Sequence, residues 1–316
     1  MTAPAAPPQE PIKAPQRPGD RWFSASALFA GSMILITLAA VAIFLIVQSL
    51  PAWTATSENA SILGTNFWAY VWPLVFGTVW AAAIALVIAV PFAVGVALFI
   101  SHYAPRKLAQ VLGYIVDLLA AVPSVVFGLW GIGVLAPAVQ PVYVWLNENL
   151  GWIPLFGGIV SGTGRTILTA AIVLAVMVLP IITAICREIF LQTPVLHEEA
   201  ALALGSTRWE MIRMAVFPYG RSGIISAAML GLGRALGETM AVAMVLSASG
   251  GITFHLLTAS NPSTIAANIA LSFPEAYGLN INVLIATGLV LFVVTFAVNA
   301  LARYVINRRK EFSGAN

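Results

Sequence analysis

Arg234 and Glu238 stand four positions apart and are the only charged residues between Gly223 and Ala248, in a run that is otherwise apolar, glycine or small hydroxyl. On a helix that spacing puts both side chains on one face, where opposite charges partly neutralise each other. A guanidinium is a planar fork of donors that matches an oxyanion bidentately, and a carboxylate beside it limits the affinity so that release stays possible. One chemistry open to the pair is therefore the transient contact of an anion in passage. The other is a structural ion pair that holds a helix in register. Gly231, Gly233 and Gly237 flank the pair and let a neighbouring helix or a ligand come close to the backbone. Asp117 is a third charge inside an apolar run and a possible partner of Arg234. Arg165 stands alone between two apolar runs, placed either to draw an anion to an entrance or to snorkel at an interface.

The elements that must position these residues follow from composition. The chain has 316 residues, of which 60% are hydrophobic and only 9% charged, against about 25% charged in soluble domains. It reads as an integral membrane protein. Its single cysteine, Cys186, cannot form an internal disulfide. His102, His197 and His255 lie far apart and show no metal-ligand spacing with it. No nucleophile or metal constellation is placed for catalysis, so the expectation is a protein that is not an enzyme and has no metal or cofactor of its own. A formal charge of +3 gives no reason to expect a nucleic-acid partner.

Six apolar runs are each long enough to cross about 30 Å of hydrocarbon. They cover Ala25 to Leu50, Leu74 to Ile100, Leu108 to Leu135, Ile167 to Cys186, Gly223 to Ala248 and Ile281 to Val305. Residues 1–20, with six prolines, are expected to be a disordered cytoplasmic tail, residues 21–310 the six-helix transmembrane domain, and residues 311–316 a second cytoplasmic tail. Pro91, Pro123 and Pro180 fall inside runs, which membrane helices tolerate when neighbours satisfy the freed carbonyls. Arg234 and Glu238 come 13 and 17 residues after Arg221. At 1.5 Å per helical residue that is about 20 and 25 Å, inside the hydrocarbon. A charge kept there costs about 2.5 to 3.5 kcal/mol on insertion scales, so it faces the bundle or a wet cavity.

Thirteen of the fifteen basic residues fall on one side of these runs, including Arg106, Lys107, Arg187 and the C-terminal cluster. The opposite side holds Glu58, Glu148, Glu275 and Arg165. By the positive-inside rule both termini and the loop 197–221 face the cytoplasm. Trp53, Phe67, Trp68, Tyr70, Trp72, Tyr143, Trp145 and Trp152 then lie toward the outer surface, as an aromatic belt at the headgroups or as a docking surface for an outer partner.

The loop His197 to Arg221 is the longest polar interruption. Glu198 to Leu204 is made of strong helix formers and ends at Gly205, the residue expected just past a helix C-terminus. Thr207 and Glu210 have the spacing of a capping box that opens a second short helix, which Pro218 is expected to end. Leu202, Leu204, Trp209, Met211 and Ile212 give the pair an apolar face. No lysine is followed by Ser or Thr, so no phosphate-cradling P-loop is present, and energy from ATP would have to come from another chain.

Glu199-Ala200-Ala201, then Gly205 after three residues and Ala215-Val216-Phe217-Pro218 after nine more, resembles the EAA loop of ATP-binding-cassette importer permeases. The chain departs from that pattern at Ala215 and Phe217, where the family usually has Ile and Leu. Gly231 to Val242, with Pro123-Ser-Val-Val-Phe-Gly128 and Arg187-Glu188, resembles the PstC-type permeases of bacterial high-affinity phosphate importers. The sulfate and molybdate permeases share a similar Arg-Ala-Leu-Gly-Glu segment. The resemblance implies an all-α, six-helix type I importer permease of the cytoplasmic membrane that moves phosphate by alternating access. It implies as partners a second, PstA-type permease, two ATPase subunits that bind the ATP, and an extracytoplasmic phosphate-binding protein, all within membrane lipid. Glu198, Glu199, Ala200, Ala201, Gly205, Glu210 and Pro218 would couple to the ATPase, and Arg234, Glu238, Asp117 and Arg165 would line the substrate pathway.

Overall fold

The computed structural model describes residues 18–249 and 251–310, so most of the expected N-terminal tail and all of residues 311–316 lie outside it. The chain divides into two compact units, Met1–Val47 and Gln48–Asn316. The first contains most of helix α1 (Pro18–Ser49), whose side chains are apolar and exposed nearly all round, the surface of a helix solvated by lipid.

The second unit is a bundle of α2 (Phe67–Leu98), α3 (Arg106–Ala120), α4 (Ser124–Trp130), α5 (Ala136–Leu150), α6 (Ile167–Leu191), α7 (Val195–Ala203), α8 (Arg208–Met211), α9 (Phe217–Leu236), α10 (Met240–Val245), α11 (Ile265–Ser272) and α12 (Leu279–Lys310). Its core is built on an alanine stripe. Ala81, Ala85, Ala89, Ala93 and Ala97 recur every four residues along α2 and are all buried. Without a bulky side chain in the way, α6 packs close along that face with Ala171, Leu174, Val178, Ile182 and Cys186. The Thr183 hydroxyl of α6 reaches the Ala93 carbonyl at 3.4 Å. A satellite core of Ala60, Leu63, Phe67 and Val71 holds Val283 and Ala286 of α12 at the other end of α2.

Among the described residues five continuous helical stretches are long and apolar enough to cross a membrane: Trp22–Thr54, Phe67–Tyr103, Ser124–Leu150, Ile167–Leu191 and Leu279–Tyr304. Two expected runs differ. Leu108 to Leu135 is not one helix, because the chain leaves the helix after Ala120 and restarts at Ser124. Pro123 has no N–H to continue the ladder and excludes its predecessor from helical angles. The crossing is instead Ser124–Leu150, with a π-helical turn at Gly131–Leu135 joining α4 to α5. Tyr143 is consequently not in an outer loop but buried on α5, its hydroxyl 2.8 Å from Thr169 Oγ1. Gly223 to Ala248 is likewise interrupted, between Leu236 and Met240.

Candidate functional site

The interruption of the fifth run decides the geometry of the two charges that the sequence singles out. Helix α9 ends with Gly237 at its cap, so Arg234 stands in its last turn, where a cation complements the helix C-terminus. Glu238 lies in the break and is only 8% exposed. Its carboxylate turns away from α9 and accepts a hydrogen bond from the Ala241 N–H at 3.1 Å, in the first turn of α10. The expected i, i+4 pair therefore does not form: among the described residues no ion pair joins Arg234 to Glu238. The four-residue spacing straddles a helix end, so the two side chains do not share a face.

Arg165 completes the arrangement at the other end of α10. Its guanidinium donates to the carbonyls of Met244, at 3.0 Å, and Val245, at 3.4 Å. Those are C-terminal carbonyls that α10 cannot satisfy itself. The short helix is thus held with a carboxylate at its positive end and a guanidinium at its negative end. Arg165 adjoins Thr166, the residue whose hydroxyl caps α6 through the Thr169 N–H at 3.2 Å. It ties α10 to the start of the core helix.

Arg234 opens onto a cleft of about 940 Å³ between α6, α9 and α12. Ser226, Met229, Leu230 and Gly233 line it from α9, Phe296, Asn299, Ala300 and Arg303 from α12, and Ile181 from α6. Asp117 is not there. It lies in a separate cavity of about 680 Å³ with Arg106 and Gln110, and its partner is Arg187 of α6 at 3.8 Å, not Arg234. Gly113 makes that pairing possible: a methyl group at this position would occupy the space of the Arg187 guanidinium, one turn before Asp117. The structure does not bring Arg234, Glu238, Asp117 and Arg165 together around one cavity.

The loop after α6 forms the expected helix pair. At the end of α7 the N–H of Gly205 bonds to the Leu202 carbonyl at 2.9 Å and that of Ser206 to the Ala201 carbonyl at 3.4 Å, the two bonds of a Schellman motif. Gly205 takes φ of +84°, which that motif requires and glycine alone adopts without cost. The capping box closes as the spacing implies. Glu210 accepts from the Thr207 N–H at 2.7 Å and from the Thr207 hydroxyl at 2.8 Å, while Thr207 Oγ1 accepts from the Glu210 N–H at 3.3 Å. The bond from the Thr207 backbone, reinforced by its hydroxyl, holds the Glu210 carboxyl below its ordinary value. Glu199 and Ala200 are exposed on α7, whereas Ala201 packs against the core. The apolar face divides: Met211 and Ile212 are buried, while Leu202, Leu204 and Trp209 are exposed.

Pro218 does not end the second helix. A π-helical turn at Ile212–Val216 inserts between α8 and α9, and the Phe217 N–H bonds to the Ile212 carbonyl five residues back. The widened turn absorbs the missing proline N–H in the first turn of α9, so the helical run continues unbroken from Arg208 to Leu236. The capping box and Arg234 therefore stand on one rod, about 40 Å apart along its axis.

Three further residues have no forewarning in spacing alone. His102, in the π-helical turn that ends the α2 crossing, places Nε2 3.3 Å from Glu198 of α7, with Ser101 Oγ 2.7 Å from its Nδ1. Asn261 is fully buried and organises the loop after α10: its amide donates to the carbonyls of Ser247 and Thr258 and its oxygen accepts from the Ile167 N–H. Arg303 counts in the sequence only as one of the basic residues after the last run, and the fold turns it into the cleft of Arg234.

A family model described as "Binding-protein-dependent transport system inner membrane component" matches residues 89–311. "Phosphate transport system permease protein PstC 2" of Mycobacterium tuberculosis is 49% identical over 303 residues, covering 92% of this chain and 93% of that one. "Phosphate transport system permease protein PstC" of Mesorhizobium japonicum is 40% identical over 308 residues, covering 94% and 92%. A chain in the crystal structure of a bacterial ABC transporter involved in the import of the acidic polysaccharide alginate superposes with a TM-score of 0.60, at 16% identity, over 90% of this chain and 96% of that one, and so shares the fold. Spanning helices, the broken helix after Arg234 and the helix-pair loop thus occur in a chain that belongs to the binding-protein-dependent transport inner membrane components of ABC transporters, multi-pass membrane transport subunits, among the PstC permeases.

Proposed function

We propose that this chain is the permease subunit through which an ATP-driven importer moves inorganic phosphate across the cytoplasmic membrane. The observation that carries the reading is the continuous helix from the Thr207–Glu210 box to Arg234, because it gives work done on the loop a rigid path to an arginine in an open cleft. The names of the relatives support phosphate as the anion. The thirteen basic residues on the loop side support a cytoplasmic location for that loop and for both termini.

In this reading the α7–α8 pair seats together in a cleft of one ATPase subunit, with Leu204 and Trp209 as exposed apolar contacts, and the importer's two ATPase subunits bind and hydrolyse the ATP. A second permease of the PstA kind faces the Arg234 cleft, and an extracytoplasmic binding protein delivers phosphate to the end where Arg165 and Asn261 fix α10 and its loop. ATPase closure tilts the 208–236 rod and exposes Arg234 alternately to the two sides. Arg234 contacts the anion. Glu238 and Arg165 position the hinge at residues 237–239 rather than touching substrate, and Asp117 acts through Arg187 in bracing α3 on α6. Sulfate or molybdate is the competing substrate, since both are tetrahedral oxyanions that a guanidinium accepts equally well. ATP-dependent uptake of phosphate, sulfate and molybdate by the reconstituted complex decides between them. Uptake of sulfate or molybdate in preference to phosphate would refute the assignment.

A further inference from the structure

The cleft that holds Arg234 holds a second guanidinium, and its helix supplies a polar companion. Phe296, Asn299, Ala300 and Arg303 follow the i, i+3, i+4, i+7 pattern that puts all four on one face of α12. Helix α12 begins beside the N-terminal end of α2, where Val283 packs on Phe67 and Val71, and it runs toward the end where His102 meets Glu198. Helix α9 begins at that loop end and runs the opposite way. Arg303 therefore lies toward the loop end of the cleft, near the level of Ser226, while Arg234 comes eight residues later on α9, about 12 Å deeper. Neither guanidinium has a carboxylate partner among the described residues. The Ser226 hydroxyl proton is already given to the Ser222 carbonyl, so the free donors at this end are Arg303 and the Asn299 amide. Both guanidinium groups are exposed to the cleft, so each keeps its planar fork of donors open to an oxyanion that enters it.

We propose that Arg303 and Asn299 form a second site for a phosphate oxyanion, on the loop side of Arg234, distinct from the first contact. The inference rests on the proposed role of Arg234 as the deeper contact. The ligand chemistry, a phosphate group with at least two free oxygens for a guanidinium fork, is met by transported phosphate and by the headgroup of an anionic lipid entering from the side. As a transport station the site receives the anion after Arg234 and shortens the uncompensated step to the cytoplasmic side.

The test uses the assembled complex with its ATPase and binding protein in two membranes, pure phosphatidylcholine and phosphatidylcholine with phosphatidylglycerol. It compares Arg303→Gln, Arg303→Lys, Asn299→Leu and Arg234→Gln. Loss of the charge-assisted bonds at Arg303 predicts a maximal phosphate uptake per ATP hydrolysed about tenfold lower, with the half-saturating phosphate concentration unchanged. Arg303→Lys recovers part of the rate and Asn299→Leu loses part of it. A deficit in both membranes assigns the site to transported phosphate, and a deficit confined to the phosphatidylglycerol membrane assigns it to lipid headgroups. Wild-type uptake by Arg303→Gln in both membranes, with Arg234→Gln impaired, overturns this site alone. Wild-type uptake by Arg234→Gln overturns the reading on which it rests.

Discussion

Replacing Glu238 separates two jobs that the fold gives to one carboxylate. The residue is buried and its carboxylate accepts the Ala241 N–H at 3.1 Å, which makes it a cap for α10 as well as a negative charge at that helix's positive end. Glu238→Gln keeps an oxygen that can accept the same bond and loses the charge. Glu238→Ala loses both. A cap is worth about 1 kcal/mol, and a charge at a partly buried helix terminus about 1 more. Glu238→Ala should therefore loosen the α9–α10 hinge by about 2 kcal/mol, roughly a thirtyfold change in the population of the docked state, and Glu238→Gln by about half of that free energy. The assay is hydrogen exchange of the peptide containing residues 240–246 in the assembled complex, alongside initial rates of ATP-driven uptake. Protection should fall in the order wild type, Gln, Ala, and uptake should fall in the same order. Equal loss for both variants would mean that charge alone matters, and unchanged protection in Glu238→Ala would refute the capping role.

Other positions give simpler expectations. Gly205 has φ of +84° and nothing within 4 Å of an added Cβ, so Gly205→Ala meets backbone strain only. It should cost about 1 to 2 kcal/mol and weaken co-purification with the ATPase, with Gly205→Asn milder; equal behaviour of Ala and wild type would show that the Schellman turn does not set the loop. Gly113→Val should displace Arg187 from Asp117, so it and Asp117→Asn should lower the melting temperature of the complex by less together than the sum of the two alone. Strict additivity would separate the slot from the ion pair. The Glu210 carboxyl, held below the ordinary glutamate value by its bonds from Thr207, stabilises the capping box wherever the unfolded loop would be ionised and loses that contribution only as pH falls through its lowered value. Exchange protection at the Thr207 amide should accordingly persist from neutral pH down past the ordinary carboxylate range and be lost only in stronger acid, and Glu210→Gln should remove that acid transition.

Apolar length is what hydropathy measures, so the runs that become α1, α2, α6 and α12 are legible from composition. The third and fifth boundaries are set by backbone chemistry that a hydropathy window averages away: Pro123 breaks one run and the Gly237–Thr239 turn the other. The loop was legible in detail because its signals are local. Gly205 and the Thr207–Glu210 pair act within four residues, and both adopt the geometry their spacing implies. Pro218 misleads because the π-turn that ends two residues before it supplies the slack that a proline in an ordinary helix lacks. The partners of the lone charges are not legible, since Asp117 pairs with Arg187 and Arg165 donates to the end carbonyls of α10 across long sequence separations. The family-like segments around Gly128 and Ala241 gain a physical reason only in the fold: a side chain at Gly128 would press on the Ala241 backbone and Met244, so the two segments are faces of one contact.

In the proposed mechanism the rod ending at Arg234 couples ATP-driven motion to an anion in the adjoining cleft. The direct measurement is the initial rate of ATP-driven phosphate uptake by the fully assembled complex carrying Arg234→Gln, with binding-protein-stimulated ATP hydrolysis recorded on the same sample. Uptake should fall by at least about tenfold while hydrolysis stays stimulated, because the rod still moves and the anion contact is gone. Phosphate uptake at the wild-type rate would contradict that mechanism.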